Sequence, residues 1–456
     1  MLERIRRRAA VLGGLLAGLA AAALPAAAAE IGTLTVVSSF PPSLYEPFRA
    51  AFEARHPQWR LRIINRKTSS AIDYVRSDRG AQVDVFWASA PDAFEVLKTH
   101  GLLAVLRPRA VDAPKTIGGF PINDPDGHYL GFALSGYGVF WNQDYLERHG
   151  LPPPQDWRDL TDPRYARHIA LTPPSRSGTM HLMVEAMLQS LGWEQGWALL
   201  QEIGANAATL TARSFSVVEG VARQRFGLGI TIDFLGLTYS AKNPHSHFSY
   251  PQGGIFLPAS VAILKASPNR AAAEAFVDFL LSAPGQELLL HPEILRMPVS
   301  RRAYAQATHP NPYHLAAQNG VVFDSKLSSR RYGMVNLLFD HLITYRLPQL
   351  QETWRRIHEG EALLRAARPA PEQAARLLAE ARALAGAVPL TAEEAEQAER
   401  AADLGRPSLG ATPAPSQQEL ERRLSEWTVA RFERAMRLAE QALQQLRSEP
   451  LRAADS

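Results

Sequence analysis

Residues 175–179 read Ser-Arg-Ser-Gly-Thr and stand directly ahead of the apolar stretch Met180–Leu191, which has helical periodicity. Unpaired backbone N–H groups and the helix dipole make such a helix start attractive to anions. Gly178 lets a ligand approach the backbone closely, and the Ser177 and Thr179 hydroxyls add donors. Plain N-capping by Ser175 or Ser177 would account for one hydroxyl; several hydroxyls beside a glycine point to an anion site as well. Thr211-Ala-Arg-Ser214 supplies the Arg213 guanidinium, which can pair bidentately with phosphate or carboxylate, although in isolation it reads as a surface arginine. Asp233 directly follows an apolar run, at a strand end where it binds a ligand donor or caps the next turn.

Other chemistries find less support. His245-x-His247 falls in the polar stretch Lys242–Ser249, expected to be a solvated loop, and one histidine pair is well short of a metal ligand set. His181 and Glu185 share a helix face, yet the HExxH pattern is absent. There is no phosphate-binding GK(S/T) loop and no G-x-S-x-G elbow, and Gly227-x-Gly229 lacks the third glycine of a dinucleotide fingerprint. No nucleophile is paired with a base. The expectation is a binding protein with no enzymatic activity, no cofactor and no resident metal.

The elements that must position these residues alternate between strand and helix. Thr33–Val37 reads as a strand, Pro42–Arg55 as a helix and Arg60–Ile64 as a second strand. Lys67–Ser70 reads as a polar loop, Ala71–Ser77 as a helix, Val83–Trp87 as a third strand, and a helix follows from Pro91 through Leu97. Such alternation indicates a parallel α/β architecture, in which ligands collect at the carboxyl ends of the strands. Those ends carry Ser38, Ser39, Thr68, Ser69, Ser70 and Ser89. One serine after a strand is an ordinary turn residue; three consecutive polar strand ends point towards a site.

A second α/β block runs from about Tyr137 to Tyr250, with strands at Gly138–Trp141, His168–Thr172 and Gly227–Ile232 and a helix at Met180–Leu191. Val261–Leu264 is a further strand, and Arg270–Leu290 a helix broken near Pro284. Beyond Leu347, a stripe of Leu347, Leu350, Trp354, Ile357 and Leu364 marks a helix that must pack on something. Thr391-x-x-Glu394 and Ser416-x-x-Glu419 have capping-box spacing, with a Gly/Pro-rich linker over Gly405–Pro415 between them. This tail is either a docking appendage or a helical cap on one lobe. Amphipathic stripes usually bury locally, which favours the cap. A chain ending near Arg368 is accordingly expected to keep most of its solute affinity.

The chain of 456 residues is long enough for two or three domains. It has no cysteine, which excludes disulfides, thiolate metal sites and a thiol nucleophile. Its formal charge of +4 is concentrated at the start, where Arg4, Arg6, Arg7 and Arg8 face only Glu3 within residues 1–29. The remainder is nearly neutral and gives no electrostatic reason to expect nucleic acid. Those basic residues, the apolar run Ala9–Leu24 and the small residues Ala26–Ala29 read as a cleavable export signal, with the mature chain in the periplasm as a monomer.

Val83-Asp-Val-Phe-Trp-Ala-Ser-Ala90, the Ser177-Gly-Thr179 helix mouth, Gly227–Phe234, Val261–Lys265 and Pro268–Ala272 together resemble the periplasmic solute-binding proteins of ABC importers. Within them, the similarity is to the branch of ferric-, hexose-phosphate- and phosphonate-binding proteins that also includes the phosphoglycerate-uptake sensor. The resemblance covers about Thr33 to Leu347 and implies an α/β, two-lobed type II periplasmic binding protein fold with a hinge, plus an α-helical C-terminal extension. Residues 30–135 and 256–345 would form lobe one, 136–255 lobe two and 346–456 the extension. It matches the family's anion-binding helix mouth to Ser177, Gly178 and Thr179, which with the strand-end residues Ser39, Thr68, Ser69, Ser89 and Asp233 and with Arg213 make up the expected ligand set, and it implies an ABC permease or a membrane sensor kinase as partner. Ferric members have paired tyrosines after the strand matching Gly227–Ile232, whereas this chain has Asp233-Phe234. Retaining anion donors without phenolates favours an organic anion over Fe³⁺, an organophosphate or phosphonate ahead of a carboxylate. A ferric-binding transport protein and a periplasmic sensor subunit remain the alternatives.

Overall fold

The computed structural model describes residues 32–454, apart from 110, 252–254, 305–310, 318–322, 403 and 405–414. The export signal and nearly all of the linker read from the sequence lie outside the described residues. The first strands and helices follow their sequence patterns closely: β1 (Gly32–Ser38), α1 (Pro42–Arg55), β2 (Trp59–Asn65), α2 (Thr68–Arg76), β3 (Val85–Ala88) and α3 (Pro91–Thr99). β1 pairs in parallel with β2 and β3. Its residues from Val36 to Ser38 are all buried, as expected of a strand covered by helices on both faces. One side is closed by an aromatic cluster in which Trp87 meets Phe48 and Phe276 edge-on, both at 5.5 Å.

The organising element is β4 (Leu130–Asn142), 13 residues long and buried throughout. Its first half pairs with β9 (Phe256–Ile263) and with the two-residue β10 (Met297–Pro298). Its second half pairs with β7 (Leu228–Ile232) and β8 (Ser246–Ser249). β7 continues to β5 (Ile169–Leu171), which pairs with β6 (Ala207–Leu210), so the sheet runs β2-β1-β3-β9-β4-β7-β5-β6. One strand therefore belongs to both halves of the sheet. Gly136 and Gly138 lie where it passes between them; a Cβ on Gly138 would stand 2.0 Å from the Ser249 carbonyl oxygen.

Several sequence expectations require correction. Thr68, Ser69 and Ser70 form the first turn of α2 rather than a loop, with Thr68 buried. Ser246–Ser249 is a strand paired to β4, so His247 is held in a sheet, stacked on Trp141, while His245 contacts Asp144 at 2.8 Å. Helix α4 (Gly178–Leu191) is followed by α5 (Trp193–Ala205), whose pattern was obscured by Gly196 and Gly204. These glycines serve close packing: a Cβ on Gly196 would lie 2.9 Å from Leu188, and one on Gly204 2.9 Å from Ile343. The sheet is followed on this side by α6 (Phe215–Ala222) and α7 (Asp233–Lys242), and α8 (Arg270–Leu281) lies beyond β9.

After β10, α9 (Ser325–Arg330) and α10 (Tyr332–Phe339) bridge α3 and α4. Ser328 donates to Asp92 at 2.9 Å, His181 Nε2 lies 3.3 Å from the same carboxylate, and Arg331 forms a two-pronged pair with Glu185 at 2.9 and 2.8 Å. The tail is helical: α11 (Leu347–Ala366), α12 (Glu372–Gly386), α13 (Ala392–Ala401) and α14 (Pro415–Ala454). Thr391 and Glu394 make the expected capping box. Ser416 stands one residue inside the start of α14 at Pro415, so its spacing to Glu419 locates that helix start to within a residue. Leu350, Trp354 and Ile357 are buried, and on α14 so are Leu424, Thr428, Phe432, Ala435, Ala439 and Ala442, spaced three and four apart as in a bundle seam.

The tail is fastened to α5. Trp193 donates to the Leu390 carbonyl at 2.7 Å, Gln201 to the Gly386 carbonyl at 2.9 Å, and Arg382 grips both oxygens of Glu202 at 2.6 Å. Deleting residues 369–456 strips these partners from α5 and should lower the melting temperature measured by circular dichroism. Because the cleft described below draws no residue from the tail, solute affinity measured below that temperature should remain within about threefold of the full chain, a change of under about 1 kcal/mol. A folded, truncated protein that loses binding would place the tail in the site.

Candidate functional site

A narrow cleft of about 30 Å³ opens between the two halves of the sheet. From the β1–β3 side it is lined by Ser39, Phe40, Pro41, Lys67, Thr68 and Ser89, and from the β5–β7 side by residues 176–179, 213–215, Ile232, Phe234 and Leu235. The structure thus brings together seven of the nine residues singled out from the sequence: Ser39, Thr68, Ser89, Ser177, Gly178, Thr179 and Arg213.

Six helix starts border this cleft, those of α1, α2, α3, α4, α6 and α7. This follows from strands that deliver the chain to one edge before each helix turns back. Of the six N-cap residues only Ser177 makes a side-chain cap, its Oγ accepting from Met180 N at 3.2 Å, while Asp92 and Asp233 inside the first turns of α3 and α7 accept from Ala93 N at 2.8 Å and Phe234 N at 2.7 Å. The N-cap residues of the other five make no side-chain capping bond. The dipoles of α1, α2 and α6 add positive potential at the cleft, those of α3 and α7 meet Asp92 and Asp233 in their own first turns, and Lys67, Arg176 and Arg213 add full charges. Among the described lining residues there is no carboxylate and no tyrosine.

Several contacts span the two sides. Asn65 is oriented by donating to the Ser38 and Phe40 carbonyls, which leaves its Oδ1 to accept from Arg213 Nη2 at 3.1 Å. Burial lowers the Arg213 pKa from its ordinary value, and the guanidinium lies 5.2 Å from the Phe215 ring centre. Gly178 abuts Thr68 so tightly that a Cβ there would stand 2.6 Å from Thr68 Oγ1.

Two expected site residues are turned to other work. Ser69 donates to the Ser175 carbonyl at 2.8 Å, tying α2 to the turn before α4. Asp233 is 1% exposed; it accepts from the backbone of Gly136 and Phe234 and from the Tyr250 hydroxyl at 3.2 Å, and burial pushes its pKa up to about 6. It braces β4 at its passage between the halves and does not line the cleft. The sequence reading missed Lys67, Arg176 and the apolar walls Phe40, Phe215, Phe234 and Leu235. The helix-start argument could have extended to Lys67 and Arg176, which adjoin residues it used. His181 and Glu185 are committed to the bridge with α9 and α10, and no group of three metal-binding side chains occurs among the described residues.

Comparison with known proteins gives concordant results. A family model described as bacterial extracellular solute-binding protein matches residues 82–315. The chain is 30% identical over 365 residues to the phosphoglycerate transport regulatory protein PgtC of Salmonella typhimurium, covering 80% of this chain and 87% of that one. Among solved structures, the periplasmic binding protein AfuA from Actinobacillus pleuropneumoniae, with fructose-6-phosphate bound, superposes with a TM-score of 0.62. That likeness has 20% identity and spans 69% of this chain and 99% of AfuA. Iron-bound HitA from Pseudomonas aeruginosa gives a TM-score of 0.57 at 18% identity, over 67% of this chain and 98% of HitA.

Proposed function

Because this chain belongs to the bacterial extracellular solute-binding proteins, we propose that it captures a phosphate monoester or phosphonate in the cleft for an ABC importer. Its fold is the two-lobed α/β fold of type II periplasmic binding proteins, extended by C-terminal helices. On this reading residues 30–135 with 256–345 and residues 136–255 are the two lobes, and closure turns about β4. The protein works in the periplasm after export, binds without turnover and hands its solute to a membrane permease.

The observation that carries the reading is the charge of the cleft: three cationic side chains beside its helix starts, and no acid among the described lining residues. Such a surface favours a compact oxyanion. The absence of tyrosine from that lining argues against Fe³⁺, for which phenolates are the hard ligands. The similarity to a phosphoglycerate transport regulatory protein over 80% of the chain favours a second reading, in which the same cleft belongs to a sensor with a membrane kinase as partner.

A thermal-shift screen tests both readings at the level of the solute. 3-Phosphoglycerate, fructose-6-phosphate or methylphosphonate should raise the melting temperature, because a ligand that binds only the native state stabilises it. Succinate and ferric citrate are the comparisons. A response to ferric citrate alone, with an intense visible band lost on mutating a tyrosine, would overturn the assignment. With the responding solute in hand, Arg213→Ala should weaken binding by about 10- to 100-fold by calorimetry, since a charge-assisted pair is worth about 1.5–3 kcal/mol. Unchanged affinity would remove Arg213 from the site.

A further inference from the structure

Beneath the cleft floor lies Arg296, with no exposed surface. Its guanidinium carbon stands 4.8 Å from the Phe40 ring centre, 4.5 Å from Phe234 and 5.8 Å from Phe132. Nη2 donates to Ser89 Oγ at 3.3 Å, while Nε and Nη1 have no hydrogen-bond partner. Three of its neighbours, Phe40, Ser89 and Phe234, are cleft lining. The other two buried arginines have evident compensation. Arg331 pairs with Glu185; Arg431 also has unpaired N–H groups but donates to the Ala387 carbonyl, at the negative end of α12.

Arg296 has no such partner. The carboxylate that acts on it electrostatically is Asp233, whose oxygens are taken up by Gly136, Phe234 and Tyr250, and the two form no ion pair within 4.0 Å. Attraction to three ring faces is small against the cost of removing a guanidinium from water. Burial lowers its pKa to about 10, which leaves it cationic near neutrality. A buried cation of this kind is compensated when an anion is brought to the other side of Ser89. A hydroxyl that accepts from a guanidinium keeps its own proton to donate, so Ser89 is left to donate away from Arg296, into the cleft.

We propose that Arg296 is a positioning residue that holds Ser89 as a donor and supplies, from beneath the floor, the charge that selects a doubly charged oxyanion over a singly charged one. The proposal deepens the reading of the cleft as an anion site and rests on it. It assigns the floor a different task from the rim: Arg213 attracts and grips, whereas Arg296 discriminates by charge.

Calorimetry at pH 7.5 with fructose-6-phosphate and 3-phosphoglycerate, each against its sulfate-ester counterpart, tests it. A phosphate monoester is largely dianionic at that pH, whereas a sulfate monoester of nearly the same shape carries one charge fewer. The full-length protein should prefer the phosphate ester by about tenfold or more, the scale of one charge-assisted bond. In Arg296→Met the preference should collapse to within about twofold, and in Arg296→Lys, which keeps the charge, most of it should survive. A merely structural role would weaken both esters together and leave their ratio intact, and that result would overturn the proposal. Should Arg296→Met fail to fold, Ser89→Ala serves in its place, and an unchanged ratio there has the same force. If the unmodified protein binds neither class of ester, the anion reading itself falls; if it binds the phosphate esters and the variants keep the ratio, only the role of Arg296 falls.

Discussion

Gly178→Val should abolish high-affinity solute binding while leaving the protein folded. At Gly178 a Cβ would stand 2.6, 2.8 and 2.9 Å from Oγ1, Cγ2 and Cβ of Thr68. No rotamer change at Thr68 moves its own Cβ, so α2 and the start of α4 must separate. The separation pulls Ser177 and Thr179 away from Thr68 and Ser39, and a solute can no longer reach donors on both sides together. Losing two charge-assisted bonds implies at least about a 100-fold fall in affinity, from about 1.5–3 kcal/mol for each. Calorimetry that finds Gly178→Val binding like the parent would show that the two residues need not meet when solute is held.

The largest loss of stability is expected from Arg331→Met. Its guanidinium forms a two-pronged pair with Glu185, both side chains are almost wholly buried, and it lies 4.7 Å from the Trp193 ring centre. Removing the cation leaves a buried carboxylate without its counter-charge, a change that costs about 3–5 kcal/mol in comparable sites. The melting temperature should fall by several degrees. Replacing both partners, Glu185→Leu with Arg331→Met, should recover most of the loss, because an apolar pair of similar volume has no charge to desolvate. A single variant as stable as the parent would mean that water reaches Glu185.

What the sequence made legible, and what it hid, follows from how far each signal reaches along the chain. α1 was bounded correctly and β1 and β2 to within one residue, because apolar alternation and helical spacing are local properties. Six cleft residues follow from one rule, that polar groups at strand ends and helix starts face the ligand edge, and Arg213 follows from the pairing capacity of its guanidinium. The same rule placed Asp233 at the right edge of the sheet but could not tell that its carboxylate turns back to Gly136. α5 was missed because Gly196 and Gly204 count against a helix locally and are justified only by Leu188 and Ile343, supplied from elsewhere in the chain. Arg296 gave no signal at all. It sits between Leu295 and Met297 in no motif, and its character appears only when Phe40, Phe132 and Phe234, from three separate segments, close around it.

The tail has a mechanical consequence. α14 has 40 residues, which makes it a rod about 60 Å long. The bundle it forms with α11 and α12 is clamped to α5, on the β5–β7 side of the sheet, through Trp193, Gln201 and Glu202. Turning that side by about 10° about β4 would displace one end of such a rod by up to about 10 Å relative to the other, given its rise per residue. Were the two sides to turn about β4 as proposed, the far end of the rod would sweep through a longer arc than any residue lining the cleft, because displacement under a rotation grows with distance from its axis.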